Sequence, residues 1–356
     1  MNIAEADICS GTSPHAEKCS ERKSVRRNNG CPAMRRPGHK KMYFKNIYLL
    51  VAFLFFINSK SIFAQLTYTH LAVQYDTPWT CGKLQLFPIR FKDIGGGEND
   101  FAKGSIISFE QALREGKISV KETKAGGGDD VGLLEVRNHS KKSILVNSGE
   151  IVAGGRQDRV FGGTSIITPG ERKTVLPVFC IEKGRWDKKR KAFRYAGSAN
   201  SQLRKEINVS KKQNKIWKEI DRQLIADRSQ NITSAYLNLY KSDSKIDSAC
   251  LVFFNNKMRE SDSAYAGFVA VTGNRIINCE LFGSSSLCTA SFDVMLKSYM
   301  RSITTNDGPP KVSGETVKKF LDKFLETEAQ QKQYLSKHGS LYTSNGHTIH
   351  LVAYAE

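Results

Sequence analysis

Residues Lys117–Asn147 read KISVKETKAGGGDDVGLLEVRNHSKKSILVN, and this stretch decides the fold class. It holds three short runs, KISVKET, GLLEVRN and SILVN, rich in β-branched and apolar residues, with GGGDD (Gly126–Asp130) and a polar break between them. Runs of that length and composition, bounded by glycine and polar clusters, predict strands. The same rhythm extends outward, to LTYTHLAV (Leu66–Val73) and LQLFPIRF (Leu84–Phe91) upstream and to TSIIT (Thr164–Thr168) and KTVLPVFCI (Lys173–Ile181) downstream. A strand about every ten residues points to an antiparallel sandwich or barrel-like sheet, not a parallel sheet with helical crossovers. One short helix interrupts the series: Ser108 with Gln111 three residues on makes a capping box, and Gly116 is placed to stop it.

After Trp186 the composition changes. Lys188–Lys191 opens a basic, polar stretch that acquires helical periodicity in QNKIWKEIDRQLIADRS, with Ile216, Ile220, Leu224 and Ile225 on one predicted face. AGFVAVTG and RIINCELFG follow as a hairpin joined at Gly273-Asn274. A helix carrying Phe292, Met295, Leu296 and Tyr299 precedes the Pro309-Pro310 break, GETVKKFLDKFLE gives a last helix, and a strand closes the chain from His347. The expected fold is therefore α+β, with a β-rich antiparallel first half and helices and a further hairpin in the second. No period of fixed length recurs, which disfavours a solenoid or propeller.

The 356 residues carry 54 Lys+Arg against 35 Asp+Glu, a net +19. Of these, 11 basic and 4 acidic residues precede Gln65, so the remainder holds 43 against 31, or +12. The cut is motivated by KKMYFKNIYLLVAFLFFINSKSIFAQ, in which Lys40, Lys41 and Lys45 precede an apolar run from Ile47 to Ile57 and the small residue Ala64 stands just before Gln65. Such a run of about 11 residues with a basic start matches a secretory signal peptide and is short of the roughly 20 residues of a membrane span. We read residues 42–64 as a signal peptide, residues 1–41 as an upstream extension or non-native start, and residues 65–356 as one α+β domain. The expected location is periplasmic or secreted, with no span after cleavage; an N-terminal membrane anchor is the competing reading, because Ile62 is large for the cleavage motif.

Export permits disulfides. Cys81, Cys180, Cys250, Cys279 and Cys288 follow the cut, and an odd number leaves at least one free or paired between chains. Which of them pair stays open at this level. No CxxC spacing or neighbouring His suggests zinc, so no metal site is assigned. The basic stretches lack aromatic platforms or a nucleic-acid motif, and the glycine clusters lack the Gly-Lys-Ser/Thr of a phosphate loop. Nucleic acid is disfavoured, and no cofactor is specified.

The densest chemistry lies in SGEIVAGGRQDRVFGGTSIITPGERKTVLPVFCIEKGRW (Ser148–Trp186). Its GE…GG.Q.R element and its PV.C.E.GRW element together resemble the uncharacterised domain family named for its association with ADP-ribosylglycohydrolases and rhodanese-phosphatases. The marked positions of that signature fall on Gly149, Glu150, Gly154, Gln157, Arg159, Pro177, Cys180, Glu182, Gly184, Arg185 and Trp186, all retained. The resemblance covers most of the chain after the leader. It implies a link by genome association to NAD and ADP-ribose metabolism, and no established reaction. The leader is a departure, since an exported member is separated from cytosolic nucleotide pools.

Read from the residues alone, a strand through Ile181 would put Cys180 and Glu182 on one face. Arg185 can return to Glu182 or fork onto a phosphate or carboxylate, Trp186 can stack on a ring, and Glu150 and Gln157 would form the opposite wall. This makes Glu150, Gln157, Arg159, Glu182, Arg185 and Trp186 the candidate site for a small anionic or nucleotide-like ligand. Cys180, Glu182 and Glu150 are the weaker catalytic candidates: a thiol nucleophile, or two carboxylates acting as a glycosidase pair roughly 5–9.5 Å apart. Whether there is enzymatic turnover stays open. The alternative is a non-catalytic envelope protein that docks a protein partner, its motif serving only the fold. The two readings part on Arg159 and Arg185, which face an open cleft in the first and are covered and internally paired in the second.

Overall fold

A computed structural model describes residues 66–92, 106–125, 128–170, 172–187, 191–241, 246–260 and 265–356, which belong to a compact unit running from Ser61 to Glu356. The leader and upstream extension, Gly95–Gly97 and Lys188–Arg190 lie outside the described residues.

The first strands are β1 (Leu71–Val73), β2 (Trp79–Cys81), β3 (Leu84–Phe91) and β4 (Ile106–Ser108). Helix α1 (Phe109–Arg114) follows, its first turn closed by the Ser108 hydroxyl accepting from the Gln111 N–H and its end marked by Gly116 at φ +66°. Then come β5 (Ile118–Ala125), β6 (Gly128–Asn138), β7 (Ser143–Val146), β8 (Glu150–Gly155), β9 (Arg159–Phe161), β10 (Ser165–Ile167), β11 (Thr174–Cys180) and β12 (Lys191–Ser198). The basic stretch after Trp186, expected to lead straight into a helix, thus begins as a strand. Its pairing with β8 supplies the backbone partners that local composition cannot announce.

The second half holds α2 (Ser201–Lys205), a π-helical turn (Glu206–Ser210), α3 (Gln213–Ala226), a 3-10 turn (Tyr236–Tyr240), α4 (Ser248–Arg259), β13 (Tyr265–Thr272), β14 (Arg275–Phe282), α5 (Ser285–Arg301), α6 (Gly314–Leu325), α7 (Glu328–His338), β15 (Gly339–Ser344) and β16 (His347–Ala353). The α6 helix is not the last, as expected, because Thr327 caps another immediately behind it. Ile216, Ile220 and Leu224 face inward from α3, but Ile225 is exposed: four adjacent apolar positions span more of the helix than its neighbours cover. The β13–β14 hairpin turns at Gly273, whose φ of +53° suits the first position of a two-residue turn.

Three sheets result. The largest runs β1-β3-β13-β14-β16-β15, with β2 also paired to β3. Helix α6 covers one face through Val317, Phe320, Leu321 and Phe324, joined by Tyr334 and Leu335 of α7, and α5 covers the other through Phe292, Met295 and Leu296. With both faces covered, every residue of β13 is buried. A six-stranded antiparallel sheet, β12-β8-β9-β11-β6-β5, curls until β12 lies alongside β5. Phe109, Val136, Val152, Phe161 and Val178 fill it, while Ile151 and Val160 point outward onto α2 and α3. Between them lies the short sheet β10-β7-β4, where β4 and β7 pair in parallel, the exception to the antiparallel expectation.

Candidate functional site

The signature occupies both ends of β8 and the neighbouring end of β11. Arg159 stands opposite Val152 on one side and Cys180 on the other, so its side chain shares the inner face of the curled sheet with both. It is 2% exposed and donates to Gln157 Oε1 at 3.1 Å; the Gln157 amide in turn donates to the Glu182 carbonyl at 3.0 Å. Burial lowers the pKa of the Arg159 guanidinium.

Arg185 is a hub. Its Nε meets Glu182 Oε2 at 2.5 Å, Nη2 meets Asp158 Oδ1 at 2.6 Å and Nη1 meets Asp187 Oδ2 at 2.8 Å. Glu182 is further held by the Thr233 hydroxyl at 3.0 Å, and Asp158 by the Gly154 N–H at 2.9 Å. Burial raises the Asp158 pKa against that bond. The guanidinium fork is thus occupied by carboxylates of its own chain, and Arg159 is buried. Trp186 is 49% exposed, with the Arg156 guanidinium over its ring at 5.2 Å.

Cys180 is buried and clamped through its backbone, where Gln213 accepts from its N–H and donates to its carbonyl, both at 2.8 Å. Burial pushes its thiol pKa up, Arg159 opposes this and Glu122 reinforces it. A thiol so disposed stays protonated and is a weak nucleophile.

Glu150 does not join the others. Along the strand register it is level with Phe161 and Val178, four positions from Glu182, which at the strand rise is roughly 13 Å before the lateral offset is added. The two carboxylates belong to separate hydrogen-bond networks, Glu150 with Asn147 and Glu182 with Arg185 and Thr233. Glu150 instead accepts from the Asn147 N–H at 2.6 Å, fully buried, and burial raises its pKa to about 8 against that bond. The buried Tyr195 hydroxyl lies beside the Glu150 carboxyl and also works against that rise.

The glycines and the proline have mechanical reasons. A Cβ on Gly154, at φ +131°, would lie 2.4 Å from the Ala192 carbonyl, so only glycine lets β12 approach β8. Pro177 sits where β11 hands its pairing from β6 to β9, a position that spares the missing N–H. Gly184 is held as closely, since a Cβ there would lie 2.8 Å from Thr233 Cα. A sequence model of the ARG and Rhodanese-Phosphatase-superfamily-associated Protein domain, ARPP-1, matches residues 72–353. The chain belongs to that family. No curated protein and no solved structure matches it.

Beside the ARPP-1 signature, between β5 and β12, lies a cleft of about 720 Å³ bordered by Lys121, Glu122, Glu135, Lys173, Lys191 and Phe193. Lys173 pairs with Glu135 and Lys191 with Asp187, both at 3.0 Å. Gly155 also borders the cleft, which joins it to the signature turn. Among the described residues no group of three His, Cys, Asp or Glu is placed to hold a metal, and no helix is long and apolar enough to cross a membrane.

The sequence reading missed a buried polar cluster of the ARPP-1 domain where the curled sheet meets the large one. Arg204 makes a two-pronged pair with Glu280, 2.7 Å on each arm, and donates to the Ser148 carbonyl. His350 Nε2 lies 3.0 Å from Glu280 Oε2, and its Nδ1 lies 2.8 Å from the Thr164 hydroxyl, which accepts from the Ser148 N–H. Burial works against the Glu280 carboxylate, but Arg204 and His350 outweigh it and hold its pKa well below the usual range. Burial lowers the His350 pKa, keeping the ring neutral and consistent with Thr164 donating to Nδ1 and Nε2 donating to Glu280. This explains Gly149: a Cβ there would lie 2.6 Å from Arg204 Cγ. The signal available in sequence was an acid inside RIINCELF and a His inside HTIHLVA, polar breaks in otherwise apolar strands.

Proposed function

We propose that the protein is an exported binder of a small anionic ligand, and that the ligand occupies the cleft between β5 and β12, with the ARPP-1 signature serving as the scaffold of its rim. The observation that carries this reading is the placement of Lys121, Lys173 and Lys191 around a floor containing Phe193. Cations on an apolar wall suit a ligand with negative charge and a ring or sugar face, and the volume falls within that of small-molecule sites. The name of the family, through its reference to ARG, makes ADP-ribose the first compound to try. Export is supported by the Cys81–Cys250 disulfide, a bond that oxidising compartments maintain.

The test is a thermal-shift and calorimetric panel of ADP-ribose, other nucleotides, phosphosugars and simple anions against the chain and a Lys121→Ala, Lys173→Ala variant. Both lysines are exposed, so the variant should fold. A true ligand at 100 times its Kd stabilises the protein by about 2.7 kcal/mol, and that gain should shrink in the variant. No binding across the panel, or binding indifferent to the lysines, rejects this cleft as the site.

A second reading, an interaction protein whose motif is structural, is favoured by the full commitment of Arg185 to Glu182, Asp158 and Asp187. It expects silence in the panel and a protein partner recovered by cross-linking.

A further inference from the structure

A second cavity, of about 590 Å³, lies on a different part of the molecule, walled by the π-helical turn, α7 and β15. We propose that it is a binding site for a small amphipathic monoanion, a carboxylate carried on an apolar body. The proposal goes beyond the ligand reading above and does not rest on it.

Three separate observations meet here. Val209, Leu335 and Leu341 give the cavity apolar walls. Lys211 and Lys332 stand at its border, both exposed, and neither forms an ion pair. The backbone is irregular at the same place: Glu206–Ser210 is a π turn, and Lys211, which ends it, takes the left-handed conformation at φ +52°. Single π turns and non-glycine residues in that conformation are costly and cluster where a fold is shaped for a ligand.

The floor is pre-organised. Asn208 accepts from the Ser148 and Tyr342 hydroxyls and donates to Tyr354, while Ser340 donates to its carbonyl at 2.6 Å. These groups already pair with one another, so they shape the cavity and leave charge recognition to the lysines. Two lysines against Glu328, which also borders the cavity, leave one net positive charge. That balance suits a carboxylate better than a phosphate dianion. Among the described residues no arginine fork for a phosphate and no aromatic face for a base borders the cavity.

The experiment titrates the full chain calorimetrically with decanoate, with 1-decanol as its uncharged counterpart and with inorganic phosphate. Two variants accompany it: Lys211→Gln with Lys332→Gln, which removes exposed unpaired charges, and Leu341→Trp, which fills the cavity from a half-exposed position. Circular dichroism establishes that both fold. Decanoate should bind at one site per chain, weaken about tenfold in the lysine variant while decanol is unchanged, and lose binding in Leu341→Trp. Absence of decanoate binding to the unaltered chain overturns the proposal, as does binding that neither variant alters. Phosphate binding tighter than decanoate overturns the amphipathic assignment.

Discussion

Glu150 is the residue at which burial and charge conflict most openly. Its carboxyl has an ordinary value of 4.5 and rises to about 8 in the fold because burial penalises the anion. Between those values the native state binds one more proton than the unfolded chain, so its contribution to stability is full below pH 4.5, falls as pH rises, and is lost above about 8. Glu150→Gln keeps the shape and removes the titration. The variant should match the parent near pH 4.5 and exceed it at pH 8 by on the order of 4 kcal/mol, read from urea midpoints at the two pH values. Equal pH profiles would show that Glu150 is ionised in the native state. Gly149, one residue earlier, is limited by space and by its φ of +91°. Gly149→Ala should cost at least about 2 kcal/mol, since the Arg204 stem it would strike is fixed by the Glu280 pair. A denaturation midpoint within error of the parent would rule out that close approach.

At the scale of elements, the turn between β8 and β9 and the end of β11 are joined by the ionic contacts of Arg185. Arg185→Ala leaves Asp158 and Glu182 half-desolvated beside one another and should cost about 3 kcal/mol, with Arg185→Lys restoring only part because one ammonium cannot serve three carboxylates in a fork. Trp186→Ala, next in sequence but half-exposed with one cation over its ring, should cost under about 1 kcal/mol. Chemical denaturation of the three variants separates these expectations, and similar losses at 185 and 186 would mean the ionic hub is not what holds the turn. Most elements here were legible. The Ser108 cap and the β13–β14 turn are local in origin, as are the α5 positions Phe292, Met295, Leu296 and Tyr299, and these stand as read, except that the Gln111 side chain bonds forward to Glu115 and does not close the box on Ser108. The α7 helix and the β12 strand were not, because the Gln-containing polar sequence of the first and the basic start of the second become regular only through what packs on them: α6 and β15 in one case, β8 in the other.

At the scale of the molecule, Cys81 on β2 and Cys250 on α4 close a loop of 169 residues across the large sheet. In the chain-entropy account such a closure contributes about 5 kcal/mol, so reduction, or Cys81→Ser with Cys250→Ser, should lower the denaturation midpoint strongly. An unchanged midpoint on reduction would remove the physical support for an oxidising destination. Cys180, Cys279 and Cys288 remain buried thiols that pack as small hydrophobes. What the sequence determined by itself is what nearest neighbours along the chain control: strand rhythm, caps, glycine turns, the α+β class and the signature that identifies the family. The tertiary structure decided the rest. It separated Glu150 from Glu182, enclosed Arg159, gave Arg185 three internal carboxylates, and brought Arg204, Glu280, His350 and Thr164 together from four distant segments. Side-chain alternation says which face a residue takes, but only the register and curl of the sheets determine what stands opposite it, and that partner sets whether a charge is open to a ligand or already satisfied within the fold.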